Sequence, residues 1–124
     1  MAVNFTKRAL AEITVEASLT EVSETLKGIM PFFDILFKGE TFTEPNGIEL
    51  LGKCGVTWRS WGETIKIKIK EEGGNSIVHA ESESSLGTTL IDYGKNKENL
   101  QRLFLELTRK YKSTSPLALK EKVL

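Results

Sequence analysis

The sequence is poor in several residue types that define whole classes of protein: it has one cysteine, one histidine and three prolines among 124 residues. With Cys54 as its only cysteine, the chain cannot close a disulfide within itself. No apolar run approaches the roughly 18–20 residues that cross a bilayer as a helix. Lys and Arg together number 17, as do Asp and Glu, so the positive surplus of a dedicated nucleic-acid binder is missing. We therefore expect no nucleic-acid partner and no membrane span.

Motifs for phosphates, cofactors and metals are missing as well. The chain has no Gly-rich phosphate loop, no CxxC and no HExxH. His79 falls on the predicted solvent side of a strand, without partners for a catalytic triad or a metal site. Cys54 alternates with apolar neighbours, as a small buried hydrophobe does, and has no visible activating group. We expect a protein that is not an enzyme, with no cofactor and no metal, unless Asp34, Asp92, Arg59 and His79 converge in the fold.

The composition does provide for a hydrophobic core. Hydrophobic residues make up 40% of the chain and charged residues 27%, which is ordinary for a globular protein and too apolar for a disordered one. A chain of this length forms one domain. We predict a single α+β domain over residues 1–112 and a C-terminal tail, 113–124, that is loose or holds a short helix. The N-terminus has no continuous apolar region of the signal-peptide type, so the cytoplasm is the expected compartment.

The clearest pattern is the alternation of isoleucine and lysine over residues 65–70, followed by Gly73-Gly74. An apolar residue at every second position predicts a half-buried strand. Two adjacent glycines suit a tight hairpin turn, because both adopt positive φ without strain. The predicted register across this turn is Ile69 with Val78, Ile67 with Ala80, Ile65 with Ser82, Lys68 with His79 and Lys66 with Glu81.

Similar patterns predict the remaining elements. They are a strand at 8–16, a helix from the capping box at Ser18 to the stop at Pro31, strands at 32–42 and 48–58, and a last helix at Tyr93–Lys112 capped by Asp92. The order β-α-β-β-β-β-α predicts an α+β two-layer sandwich, in which a curved antiparallel sheet carries two helices on one face.

This β-α-β4-α order resembles, in a reduced form, the TATA-binding-protein-like and helix-grip (START/Bet v1-like) folds over about residues 8–112. The stretches Ser60-Trp61-Gly62-Glu63 and Ile91-Asp92-Tyr93-Gly94-Lys95-Asn96 are similar to those of small bacterial domains of unknown function. Helix-grip relatives often bind apolar ligands between the sheet and the long helix, so the resemblance implies a site of that kind. It implies no catalytic set.

The first functional hypothesis is a binding module for a small apolar or amphipathic ligand, held between the sheet and the last helix. Two tryptophans flank one turn, where they form the wall of a pocket or close one end of the core. An arginine between them is able to hold an anionic headgroup. The candidate ligand-binding residues are Trp58, Arg59, Trp61, Phe33, Phe37 and Phe104.

The alternative hypothesis is a protein-interaction or assembly module that uses an exposed face or edge of the sheet and forms a homodimer. On the strand predicted at 32–42, even-numbered positions point away from the helices. Phe32 and Phe42 therefore fall on the predicted outer face, together with Leu10 and Leu51 of other strands. A cluster of such residues is an exposed apolar patch of the kind that marks interaction sites.

Overall fold

The structure is a computed structural model that describes residues 6–43, 45–55, 62–84 and 95–123. Its elements are β1 (Thr6–Val15), α1 (Leu19–Ile29), a 3₁₀ turn (Met30–Phe33), β2 (Ile35–Thr43), β3 (Gly47–Cys54), β4 (Glu63–Glu72), β5 (Asn75–Ser84), α2 (Lys95–Lys110) and β6 (Ala118–Val123). No helix in these ranges is long and apolar enough to cross a membrane.

The strands form one six-stranded sheet in the order β2-β3-β4-β5-β1-β6, and every neighbouring pair is antiparallel. The two helices cover the sheet unequally, because α2 packs over β1 and β5 while α1 packs over β3, β4 and β5. The predicted α+β fold class is confirmed, with β6 as an additional strand. Strands β2 and β6 are the two edges of the sheet.

The central hairpin has the predicted register. Ile67 pairs with Ala80, Lys68 pairs with His79, and the remaining pairs follow in step. Gly73 and Gly74 have φ values of 59° and 84°, which is the left-handed conformation that a tight primed turn requires. The isoleucines of β4 are fully buried beneath the helices and its lysines are exposed.

Helix α1 begins with the predicted capping box. The Ser18 hydroxyl accepts a hydrogen bond from the Glu21 amide at 3.2 Å and donates one to the Glu21 carboxylate at 3.1 Å. The helix is further fixed to the hairpin, because the Leu19 amide donates to the Glu71 carboxylate at 2.6 Å. After Ile29 the chain tightens into the 3₁₀ turn, so β2 begins at Ile35 rather than at the predicted residue 32.

A β-bulge in β2 changes which side chains face the helices. The pairing of β2 with β3 runs from Phe37 with Gly52 directly to Gly39 with Leu51, so Lys38 is an extra residue. One extra residue reverses the alternation of faces beyond it. Phe42 therefore shares the helix-facing side with Ile48, its partner on β3, and its predicted position on the outer face is wrong.

The tail contains a strand where the sequence suggested a loose segment or a short helix. Strand β6 pairs antiparallel with β1, with Leu119 opposite Ala11. The connection before it is held by backbone hydrogen bonds, from the Glu16 amide to the Lys112 carbonyl and from the Thr114 amide to the Thr14 carbonyl, both at 2.8 Å. Leu119 packs against the edge of the core, which explains why the strand stays attached.

Candidate functional site

The predicted ligand-binding residues do not form one site in the described part of the chain. Trp58, Arg59 and Trp61 lie outside the described residues, as does Asp92. Phe104 is fully buried among the core side chains of α2 and the sheet. Phe33 is partly buried against the same core, whereas Phe37 is more than one third exposed on edge strand β2. Asp34 follows the 3₁₀ turn in a left-handed conformation, away from His79 on the outer face of the sheet.

The described space between the sheet and α2 is filled by apolar side chains. Leu100, Leu103, Phe104 and Leu107 project from α2 and have no exposed surface. They belong to one continuous hydrophobic cluster with the equally buried isoleucines of β4. Because a protein core is packed about as densely as an organic crystal, the middle of the sandwich does not offer a ligand a volume of its own.

One end of the sandwich, by contrast, has a polar interior. Five polar side chains, nearly or wholly buried, come together where β4 and α2 begin and β3 and β5 end. We call them the loop-end cluster. They are Glu63, Ser82, Ser84, Asn96 and Asn99. Residues 56–61 and 85–94, which carry both tryptophans and Asp92, are joined to the chain at this end. The cluster therefore lies at the end of the sandwich to which the tryptophan-bearing segment is joined in sequence.

Asn99 connects the members of the loop-end cluster. Its amide nitrogen donates to the Glu63 carboxylate at 3.0 Å and to the Ser82 hydroxyl at 3.2 Å. The Ser82 hydroxyl in turn donates to the Asn96 side-chain carbonyl at 2.8 Å, and the Asn96 amide nitrogen donates to the Ser84 hydroxyl at 3.2 Å. Such a connected network satisfies polar groups that would otherwise be costly to bury.

Arg102 extends the network toward the 3₁₀ turn. Its Nη2 donates to the Asn99 side-chain carbonyl at 3.1 Å and to the Phe33 backbone carbonyl at 3.2 Å. The guanidinium carbon also lies 5.1 Å from the centre of the Phe33 ring, within the range of a cation–π contact. Its Nε is buried and, among the described residues, has no hydrogen-bond partner.

Cys54 borders the loop-end cluster from β3. Burial first, and then the neighbouring Glu63 carboxylate, to which the thiol is hydrogen-bonded, together raise the pKa of its thiol to about 11. At neutral pH the thiol is therefore protonated and a poor nucleophile. This supports the interpretation of Cys54 as a core residue. Its surroundings include the Glu63 carboxylate in addition to the apolar residues that the sequence indicated.

The sequence held a signal for this cluster that its apolar patterns concealed. Asn96, Asn99 and Arg102 recur at every third position of α2, which places them on one side of the helix. Ser82 and Ser84 continue the inward-facing alternation of β5 after Ala80. Polar residues that continue a buried face predict a buried polar network at that end.

In the described residues, no group of three His, Cys, Asp or Glu is placed to hold a metal ion.

The most exposed apolar surface lies elsewhere, on the β2 edge of the sheet. Four of the six large apolar side chains exposed in the described residues belong to β2 or to the 3₁₀ turn before it; we call them the β2 edge patch, and they are Phe32 (84% exposed), Leu36 (63%), Phe37 (38%) and Phe42 (75%). Along its other side β2 pairs with β3, and no described strand pairs with its open side.

Beyond the bulge, the helix-facing side of β2 is covered only in part. Helix α1 reaches the strand with polar groups, since the Glu40 carboxylate accepts from Lys27 at 2.8 Å and from Ser23 at 3.4 Å. Glu40 and then Glu24 raise the pKa of Lys27, so this contact is a charged pair. Phe42, two residues beyond Glu40, remains largely exposed.

The outer face of the sheet is polar by comparison. Leu10 and Leu51 are partly buried and lie on different strands, far apart in the sheet order. His79 lines shallow clefts of about 340, 240 and 170 Å³ whose walls include lysine and glutamate side chains. The apolar cluster expected on this face is therefore not formed by Leu10 and Leu51.

Comparisons with known proteins concern the fold. No protein-family model matches the chain, and no curated protein sequence matches it. Among solved structures, the chain is similar to the vertebrate conserved region of human METTL16, with a TM-score of 0.53 and 13% identity over 73% of this chain and 72% of that chain. It also aligns with CalU16 from Micromonospora echinospora, with a TM-score of 0.46 and 14% identity over 88% and 90% of the two chains. At 13% identity, the first similarity shows a shared fold and nothing about activity.

Proposed function

We propose that this protein is a non-catalytic interaction module of the cytoplasm that binds another protein along the open edge of β2. The observation that carries the proposal is the coincidence of the β2 edge patch with a strand edge that no described strand pairs with. Natural sheets usually protect such edges with charges, prolines or covering segments. Strand β2 contains one lysine and one glutamate, and Glu40 is already paired with Lys27.

The other edge of the sheet supports the choice of β2. Strand β6 has the sequence ALKEKV, with three charged residues among six. Charged residues discourage pairing with a further strand, so β6 is protected as free edges normally are. The edge at β2, whose charged residues are Lys38 at the bulge and Glu40 paired with Lys27, is the less protected of the two, which favours β2 as the binding surface. Strand addition would supply main-chain hydrogen bonds, and the patch would supply apolar contact.

Position-specific photo-crosslinking in the native host cell tests this proposal. A benzophenone amino acid replaces Phe42 in one variant and, in a matched control, Leu105, an apolar residue of α2 that is half exposed. We expect discrete adducts from position 42, of the same mass in repeated preparations, and none from position 105. Adducts from neither position, or the same adducts from both, would contradict binding at the β2 edge.

A second candidate function, the binding of a small amphipathic ligand, is supported by the loop-end cluster. Its donors and acceptors and the guanidinium of Arg102 lie at one end of the sandwich. The segment 56–61, which carries both tryptophans, and the segment 85–94, which carries Asp92, join the chain at this end. A site of this kind would combine an apolar wall with a few polar groups, as small-molecule sites usually do. It would lie at the end of the sandwich rather than in its filled middle.

Amide and indole NMR spectra, recorded with fatty acids, aromatic anions and phospholipid headgroups, test the second candidate. Saturable shifts of both tryptophan indole signals and of the Arg102 Nε signal would support a ligand site at the loop-end cluster. The Arg102→Lys variant is a useful control, because it keeps the charge and loses the planar guanidinium. If no compound shifts these signals, the second candidate is wrong.

A further inference from the structure

We propose that the occupant of the β2 edge is a second copy of this chain, and that residues 39–43 of two copies pair antiparallel around a two-fold axis at Thr41. The inference rests on the proposed function, since it names the partner for the same surface. The two sheets would then join into one continuous sheet of twelve strands, in which neither β2 remains an edge.

The β-bulge determines which part of β2 is able to pair with itself. Side chains directly opposite each other in an antiparallel pair point to the same face of the sheet. On the two sides of Lys38 the alternation of faces is opposite, so a pairing that spans the bulge would set helix-facing residues against outward-facing ones. The regular segment Gly39–Thr43 avoids this conflict, with Glu40 and Phe42 on the helix side.

Within that segment, charge and length select the position of the axis. An axis at Glu40 would set two carboxylates directly opposite each other, which is destabilising. An axis at Phe42 would leave only residues 41–43 in register. An axis at Thr41 pairs all five residues: Gly39 with Thr43, Glu40 with Phe42, and Thr41 with itself. Each pair shares a face, and no like charges are opposed.

The same register brings the exposed aromatic side chains together. Phe42 of one copy lies beside Glu40 of the second copy, and the next helix-facing residue beyond Glu40 is Phe37. Diagonal neighbours on one face are about 7–8 Å apart, within reach of aromatic side chains. The two-fold axis repeats this contact, so two Phe37–Phe42 pairs close over the helix side of the junction.

Phe37 and Phe42 are the members of the patch that the junction covers. With a side-chain surface of about 200 Å² for a phenylalanine, their exposed fractions amount to roughly 230 Å² for each copy and about 450 Å² for the pair. The paired backbone of residues 39–43 adds to this area, and the sum is that of a small interface, which is typical of weak association.

Sedimentation velocity at rising concentration tests whether the second copy binds. We expect the weight-average mass to rise from 13.9 kDa toward twice that value between about 5 and about 500 μM, the range of a weak specific pair. Phe42→Glu should weaken association at least about tenfold, because it sets a further carboxylate beside Glu40 and removes an aromatic anchor. Leu105→Glu, an exposed apolar substitution on α2, should leave association unchanged. Urea melts of both variants confirm that they fold.

Disulfide trapping tests the position of the axis. In the proposed dimer the two Thr41 Cα atoms are about 4.5–5.5 Å apart, within the range that a disulfide spans. Thr41→Cys should therefore form a covalent dimer at least about tenfold faster than Thr20→Cys, an exposed position on α1. The native Cys54 does not compete, because it is buried and its thiol has a pKa of about 11.

The outcomes separate this inference from the proposed function. Association that is lost in Phe42→Glu but gives no fast Thr41→Cys disulfide overturns the proposed register. A mass of 13.9 kDa at every concentration, without fast cross-linking, overturns the second copy as partner. Position-specific adducts at residue 42 to a protein of different mass would then identify a heterologous partner and leave the proposed function intact. If those adducts are also missing, both are wrong.

Discussion

Asn99 is the residue on which the loop-end cluster depends. Its amide group serves Glu63, Ser82 and Arg102 at once, and it is fully buried. Asn99→Ala would remove one partner from each of these groups without giving them access to water. We expect a loss of about 2–3 kcal/mol in the free energy of unfolding, because each of the three groups loses a hydrogen bond that no water replaces inside the fold.

Urea denaturation measures this effect, with Gln101→Ala as the matched control. Gln101 is an exposed amide on the same helix, so its removal should change stability by less than about 0.5 kcal/mol. Equal losses in the two variants would mean that the hydrogen bonds of Asn99 contribute no more than helix propensity does.

Cys54 makes stability depend on pH in the alkaline range. The thiol has a pKa of 9.0 when unperturbed and about 11 in the folded protein, so the folded state holds its proton more tightly. This contribution is fully present below pH 9 and is lost as the pH rises through 11, since the unfolded chain releases the proton first. Between about pH 8 and about pH 10.5, it should fall by about 2 kcal/mol.

Cys54→Ala isolates this contribution from the titration of lysine and tyrosine. Denaturation of the wild type and the variant over the same pH range gives the difference in their free energies of unfolding. We expect the advantage of the wild type to shrink toward high pH. A difference that is constant with pH would mean that the thiol titrates normally in the folded protein.

The two faces of β4 provide a direct test of its assignment. Ile67 is fully buried, whereas Lys68, the next residue, is exposed. Ile67→Asp should unfold the domain or cost several kcal/mol, because the buried carboxylate would have no partner. Lys68→Ala should change stability by less than about 0.5 kcal/mol in urea melts. Comparable losses would show that the faces are reversed.

At the scale of elements, the sequence predicted those whose signals are local. The Ile–Lys alternation and Gly73-Gly74 determine the central hairpin, and the capping box at Ser18 determines the start of α1. Two features depended on contacts between distant residues instead. The bulge at Lys38 becomes visible only when β2 is aligned with β3, and ALKEKV forms a strand because β1 offers it an edge.

Strand β6 itself is tested by substitutions on its two faces. Leu119 is partly buried against the core, whereas Lys120 is exposed on the other face. Leu119→Gln should lower the free energy of unfolding by about 1–2 kcal/mol, because it removes half-buried apolar contact. Lys120→Gln should have little effect. If thermal or urea melts of the two variants coincide, β6 does not contribute to the core through Leu119.

At the scale of the whole molecule, two helices cover a six-stranded sheet incompletely. Helices α1 and α2 lie over β1, β3, β4 and β5, and the helix-facing side of β2 retains the exposed Phe42. The same sheet has a charged edge at β6 and an apolar one at β2. This asymmetry is the physical basis of the proposal that β2 is the binding surface.

The sequence located the functional surfaces only in part. It identified Phe32 and Phe42 as exposed apolar residues, but the bulge moves Phe42 to the other face. Phe104 proved to be a core residue, because the periodicity of α2 does not distinguish a core from a pocket wall. The hypotheses that rest on Trp58, Arg59 and Trp61 stay predictions, since those residues lie outside the described part of the chain.

Amide hydrogen exchange as a function of protein concentration tests the central claim most directly, because it reports which sheet edge becomes covered. In dilute solution the amides on the open side of β2 should exchange rapidly, as those of an unpaired edge do. We predict that the open-side amides among residues 39–43 become protected as the protein is concentrated, while those of β6 do not change. Protection confined to β6, or exchange in β2 that is independent of concentration, would contradict self-association through the β2 edge.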